Sequence, residues 1–260
     1  VSDTVVTAPT PSRRYILDWI AGVFVRPRKT FADIAGKAKG TWLTPLLLLS
    51  ITAIAAVLVA GPIKIAIAQM QGPNLPPDYQ YFTPEDQERF LQAAQATQGP
   101  VFIYVFPSIL ALGRVWFGWL LVGGMLHLFL TMLGGRGNTG TTMNLVAWGG
   151  LPFAIRDLVR IISMLVTHQI INHPGVTGFA PAGDSGMSIF LNKLFAYFDF
   201  YLLWHIILLV VGVRVATGLG LSKTWTGTLI TFVIVLSLQA LIGYLASLLG
   251  GLTVVRPFLF

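Results

Sequence analysis

Without a single cysteine, this chain can form no disulfide, no thiolate metal site and no cysteine nucleophile. Charge is scarce as well: Asp, Glu, Lys and Arg make up 10% of the residues, against about 25% in a soluble domain. The sequence also lacks a Walker lysine loop, an HExxH helix and a G-x-S-x-G elbow, so neither hydrolytic nor redox chemistry is indicated. A non-enzymatic protein with no cofactor and no metal is expected. One motif does match letter for letter, Gly135-Arg136-Gly137-Asn138-Thr139-Gly140, the dinucleotide pattern. No β-strand precedes it and no βαβ unit could hold it, so it reads as a tight turn between two membrane helices, with glycine permitting positive φ.

What is present is apolar surface, 55% of the residues. It falls in five long stretches, Trp42–Pro62, Val101–Leu133, Thr142–Thr167, Ile189–Val213 and Lys223–Leu252. Each exceeds the ~20 residues that a helix needs to cross ~30 Å of hydrocarbon. In lipid the backbone must satisfy its own polar groups, and runs this long exclude barrel strands of about ten alternating residues. The expected fold class is an all-α integral membrane protein, a five-transmembrane-helix bundle with an N-terminal amphipathic interfacial helix. The expected organisation is a flexible tail over 1–14, a cytoplasmic amphipathic and basic segment over 15–41, the five-helix domain over 42–252 with an external loop at 63–100, and an external tail over 253–260.

Basic residues orient the bundle. Arg13, Arg14, Arg26, Arg28, Lys29, Lys37 and Lys39 precede the first stretch, whereas the loop after it holds Asp78, Glu85, Asp86 and Glu88 against Lys64 and Arg89. Arg136, then Arg214 with Lys223, mark two further inner connections, and the segment from His168 to Ser188 has no Lys or Arg. Ten Lys and Arg fall inside against four outside, which places the N-terminus in the cytoplasm and, with five crossings, the C-terminus outside the plasma (inner) membrane. The first forty residues show no short apolar core followed by a small-residue cleavage site, so the first span is expected to act as an uncleaved anchor. The net charge of +7 sits at span ends, where anionic phospholipid headgroups are nearer partners than nucleic acid.

Outside the bilayer, Ile16, Ile20, Val23 and Phe24 recur at helical spacing beside Trp19 until Pro27 stops the helix. Flanked by Arg13, Arg14, Arg26, Arg28 and Lys29, this segment suits either the headgroup plane, with those residues as lipid contacts, or the underside of the bundle as ordinary core. Thr30 and Asp33 resemble a capping box opening a second short helix. Thr83-Pro84-Glu85-Asp86 reads as N-cap, first-turn proline and acidic first turn, so a helix is expected over Pro84–Gln98, as an extension of the second span or as a lid. Pro107 and Pro152 mark kinks, and Trp42, Trp116, Trp119 and Trp225 read as belt residues near span ends.

Arg114, Arg156, Asp157, Arg160 and Asp199 lie inside apolar stretches, where an ionised group needs a partner or water. Counted from the inner ends, Asp199 and Arg156 come at about 21 Å and Arg114 and Arg160 at about 27–28 Å. Opposite charges on different helices thus match in depth, and Asp157 stands three residues from Arg160. Two readings follow: an outward-open polar cavity for an anion, a headgroup or a coupled proton, or an Arg156–Asp199 pair fixing helix register while Arg114 and Arg160 snorkel outward. His127 and His205, nearer the inner boundary, read as a proton-responsive pair or weak metal site, or as satisfied polar residues between helices.

Four local patterns occur in order: Arg26-Pro27-Arg28-Lys29-Thr30-Phe31, Gly134-Gly135-Arg136-Gly137, Ala147-Trp148-Gly149-Gly150-Leu151-Pro152, and Phe198-Asp199-Phe200-Tyr201-Leu202-Leu203-Trp204. Together they resemble the Yip-domain family of integral membrane proteins over about Phe24 to Gly250. The resemblance implies a non-enzymatic membrane protein; eukaryotic relatives act in vesicle trafficking with small GTPases, and some bacterial relatives are accessory to ABC-type export machinery. A bacterial-type member is expected, and with the cytoplasmic part short and basic the GTPase-trafficking role is not expected to transfer. Arg156-Asp157 and Arg160 depart from the family pattern, which is usually apolar after the proline, and the Pro84–Gln98 segment is not part of it. The favoured expectation is a scaffold, assembly or accessory subunit partnered by another membrane protein; the alternatives are a small transporter or channel and a lipid-responsive membrane organiser.

Overall fold

The computed structural model describes residues 14–37, 40–72, 75–76, 78–171, 174–181, 183 and 185–255. Arg13, Lys39, His173, Arg256 and most of both expected tails lie outside the described residues. Every regular element among them is helical. Four helices are long and apolar enough to cross a membrane, over Leu43–Met70, Val101–Met132, Phe200–Thr217 and Leu221–Leu248.

The first two helices, α1 (Arg14–Val25) and α2 (Pro27–Ala35), form a bracket at one end of the bundle. Pro27 opens α2 at a position whose N–H would be unpaired anyway. The capping-box reading is corrected here: α2 starts three residues earlier, and Thr30 is buried inside it, its hydroxyl donating to the Arg26 carbonyl at 3.1 Å. Trp19 and Val23 are buried, with Trp19 edge-on to Trp148 at 5.6 Å. Phe31 and Ile34 of α2 are fully buried, Phe31 lying against Gly212, where a Cβ would come within 3.2 Å of the ring. The buried face of this segment is therefore bundle core, while Leu17 and Val25 remain exposed.

The first apolar stretch continues through Pro62 to form α3 (Leu43–Gln71). Sequence rules end a helix at proline, but in a membrane-type helix the carbonyl it frees is tolerated, so the connection to the next helix begins after Gln71. Beyond it, α4 (Pro84–Ala96) is capped as expected: the Thr83 hydroxyl accepts from the Asp86 amide at 3.3 Å and donates to its carboxylate at 2.7 Å. No residue of α4 is buried. A π-helical turn at Val101–Val105, just before Pro107, leads into α5 (Phe106–Met132). Trp116 and Trp119 face inward from its middle, donating to the Ser50 hydroxyl at 3.1 Å and the Met143 carbonyl at 2.9 Å. They are interhelical bridges rather than belt residues, since an indole N–H in lipid must find an acceptor inside the protein.

The third stretch is not one helix. It breaks at Gly150 into α6 (Thr139–Gly149) and α7 (Leu151–Thr167), each shorter than a full span. Pro152 has no amide to donate, and the Phe153 amide turns to the Gly150 carbonyl at 2.9 Å, leaving the Gly149 carbonyl without its usual helical donor. The buried His205 supplies one: Nδ1 donates to that oxygen at 2.6 Å. The turn before α6 has the expected form, with Gly134 at φ +90° and the Asn138 side chain accepting from the Gly140 amide at 2.9 Å.

The fourth stretch is also divided, into α8 (Gly186–Phe195) and α9 (Phe200–Thr217), because Asp199 caps α9, its carboxylate accepting from the Leu202 amide at 2.8 Å. The expectation of one helix from Ile189 is corrected by that cap. The last helix is α10 (Leu221–Val255). α3 packs along α5 and α7, and α10 along α5, α8 and α9. Trp148, Leu145 and Leu151 sit at the centre with Leu126, Leu209 and Val213. Thr228 and Thr231, both fully buried on α10, return their hydroxyls to its own backbone, Thr228 to the Thr224 carbonyl at 2.8 Å.

His205→Leu leaves the Gly149 carbonyl unpaired and is expected to lower the unfolding free energy by about 1–3 kcal/mol. His205→Asn, whose amide nitrogen can stand near the Nδ1 position, is expected to recover part of it. Thermal melts in one detergent compare the two, and equal losses would remove the hydrogen bond as the cause.

Candidate functional site

Breaking the third and fourth stretches brings their ends together. α7 carries Arg156 and Asp157 on its second turn, and Asp199 stands at the first residue before α9. The Arg156 guanidinium lies 3.4 Å from the Asp199 carboxylate and 3.7 Å from that of Asp157. All three side chains are at least three-quarters buried, and the guanidinium also lies over the Phe153 ring, 4.7 Å from its centroid. The expected Arg156–Asp199 pair is thus formed. The second acid differs from expectation: Asp157 faces Arg156, and Arg160, half-buried one turn on, makes no ion pair among the described residues. Adjacent residues do not usually face one another on a helix, but the long arginine stem folds back to let its Nε approach Asp157. That Nε is buried and accepted by no oxygen at hydrogen-bond distance.

Beside this pair is a cavity of about 160 Å³ enclosed by α3, α5, α6, α7, α9 and α10. Arg114, Arg156, Asp157, Tyr197 and Gln239 line it together with His205, and the rest of its wall is apolar. Arg114 is exposed and has no carboxylate partner among the described residues. The Arg156–Asp199 pair and the cavity thus share Arg156.

His127 and His205 do not form a pair. His127 contacts the hydroxyls of Thr139 and Thr142, at 3.0 and 3.5 Å, while His205 is taken up by Gly149. Among the described residues no group of three His, Asp or Glu side chains could hold a metal. His205 stands between Phe153 and Phe232, with ring centroids 5.0 and 5.4 Å away, a satisfied polar residue between helices. At the other end, Arg14 opens α1, and Arg26, Arg28 and Lys29 are exposed around the α1–α2 turn.

Sequence reasoning missed Tyr197, Gln239 and Phe153 at the cavity and Asn144 in the core. Asn144 accepts from the Thr41 amide at 2.8 Å while Trp148 donates to the Thr41 hydroxyl at 3.1 Å, pinning the chain as it enters α3. A lone amide in an apolar stretch was the available signal for both Asn144 and Gln239, since such a group must find a partner or line a polar space.

Among families of known proteins, the model described as Yip1 domain matches residues 21–244, which span all the site residues from Arg26 to Gln239. No curated protein and no solved structure matches the chain.

Arg156 shares its charge between two carboxylates, so losing either alone leaves a counter-ion. Asp157→Asn and Asp199→Asn together are expected to destabilise by more than the sum of the two single changes, by about 0.5–3 kcal/mol. A double-mutant cycle of thermal melts reads this, and strict additivity would rule out a shared role.

Proposed function

The chain belongs to the Yip1 domain family, and from that premise we propose that it works as a non-enzymatic scaffold or accessory subunit of a larger membrane complex. The observation that carries this reading is the outer face of α5. Phe106, Leu110, Gly113, Phe117, Leu120, Gly124 and Leu128 recur at spacings of three or four, and all are exposed. Around Gly113 and Gly124 a Cβ would meet nothing within 4 Å, so two notches interrupt a ridge of large side chains. Lipid tails supply no hydrophobic drive for helices to associate; close packing of small against large residues does, and this face offers such a surface to a second membrane helix.

In this reading the broken pair α6 and α7 completes a fifth crossing, with the N-terminus cytoplasmic and the C-terminus external across the plasma membrane. The distribution of Lys and Arg supports that orientation. The complex is of the ABC-type export class, with the chain as an assembly partner rather than the pump. At the cytoplasmic surface, exposed Arg26, Arg28 and Lys29 beside exposed Leu17 and Val25 suit contact with anionic headgroups.

Mild-detergent purification from the native membrane is expected to bring a second membrane protein along. Gly113→Leu with Gly124→Leu is expected to cut that yield at least about tenfold, the effect of losing 1.4 kcal/mol of contact, without changing the amount of folded protein. Repeated purification of the chain alone, or solute flux through it in liposomes, would transfer the preference to a transporter.

Neutralising Arg26, Arg28 and Lys29 to Gln is expected to weaken binding to anionic vesicles at low salt while leaving the melting temperature in place. Deleting the segment would not serve as that test, because it removes buried Trp19, Val23, Phe31 and Ile34 from the core. Unchanged vesicle binding would dismiss the headgroup contact.

A further inference from the structure

The cavity between the helices has a graded lining. Along α5 and α10, Arg114 and Gln239 each lie about 27 Å from the end of the helix next to the cytoplasmic turns, whereas Val122 and Phe232 lie about 15–17 Å from it. Arg114, Arg156, Asp157, Tyr197 and Gln239 bring polar groups to the wall, and Leu46, Leu49, Val122, Val146, Phe232 and Val235 supply an apolar remainder. The volume of about 160 Å³ matches that of an apolar cavity known to take up benzene, about 150 Å³, so it has room for on the order of six carbon atoms.

Charge balance adds a second constraint. Three arginines, Arg114, Arg156 and Arg160, meet two carboxylates, Asp157 and Asp199, leaving one positive charge in excess at the polar end of an apolar chamber. The Arg156 Nε lacks a hydrogen-bond acceptor and Arg114 lacks a carboxylate. In a region of low dielectric an uncompensated charge is costly, and one monoanion would neutralise it.

We propose that this cavity binds a single-chain anionic amphiphile, its carboxylate or phosphodiester held by Arg114 and Arg156 and its first six or so carbons lying among the apolar side chains below. This assignment stands apart from the accessory-subunit reading, because it concerns a ligand of the isolated chain and is read by binding alone. A free fatty acid and an anionic lysophospholipid of the bilayer present the same chemistry, a monoanionic head on one acyl chain, and the experiment separates them.

The probe is octanoate, added to the purified full chain in nanodiscs of uncharged lipid. Octanoate at saturation is expected to raise the melting temperature by about 5 °C, with octanol and acetate each giving no shift. Affinity is expected to climb about fourfold per methylene from butanoate to octanoate and to level off beyond. Arg114→Gln removes the excess cation and is expected to abolish the shift. Gly118→Leu is the second variant: Gly118 lines the cavity, nothing lies within 4 Å of a Cβ built there, and leucine favours the helix, so the side chain fills the chamber without disturbing its walls. It too is expected to abolish the shift.

Equal shifts from octanol and octanoate, or from acetate, would overturn the proposal, as would undiminished octanoate binding in either variant. In nondenaturing mass spectra of protein extracted from membrane, octanoate displacing a retained anionic lysophospholipid would identify a bilayer lipid as the natural occupant. Octanoate added without displacement would identify a free acid, and either result supports the shared chemistry.

Discussion

The bond from His205 to the Gly149 carbonyl joins the two halves of the molecule at the point where an apolar stretch is broken. A helix interrupted in a protein interior leaves carbonyls that water does not reach, and at the buried break at Gly149 and Gly150 another helix brings a donor. α9 does so with a buried histidine. Because that bond sets α6 and α7 against α9, the start of α7 and the cap of α9 lie side by side. Arg156 then reaches Asp199 across the same contact. Backbone satisfaction and the charge cluster are thus two consequences of one packing arrangement.

Ionic groups in this bundle are placed where a helix end already favours them. Asp199 accepts the Leu202 amide as an N-cap, so its carboxylate is stabilised by the helix it starts before it meets any arginine. Arg156 then divides its attention between two acids and an aromatic face. Such a cluster contributes little net stability, because taking charges out of water offsets much of their mutual attraction. The cluster leaves Arg114 without a carboxylate partner among the described residues, beside the adjoining cavity.

Elsewhere the bundle follows the rules of packing in lipid. Gly212 lets Phe31 approach α9, Met143 covers Gly123, and buried threonines on α10 satisfy themselves on their own helix. Three tryptophans, Trp42, Trp116 and Trp119, pack together inside the bundle, with Trp42 and Trp119 centroids 4.9 Å apart. Trp42 stands at the start of α3, as the preference of indole for span ends suggests, whereas Trp116 and Trp119 find acceptors at Ser50 and Met143 in the interior.

The apolar stretches, the turn at Gly134, the cap at Thr83 and the pairing of Arg156 with Asp199 were all determined by the sequence itself. Each depends on residues close in the chain or on the cost of leaving a charge alone in hydrocarbon, and both can be reasoned from composition and spacing. The passage of α3 through Pro62, the division of the stretches at Gly150 and Asp199, and the membership of Tyr197 and Gln239 in the cavity were decided only in the tertiary structure. A proline or an aspartate in an apolar run ends a helix or is tolerated according to which neighbour satisfies the groups it frees. That neighbour, as His205 is for Gly149, lies 56 residues away in the chain and beside it only after folding.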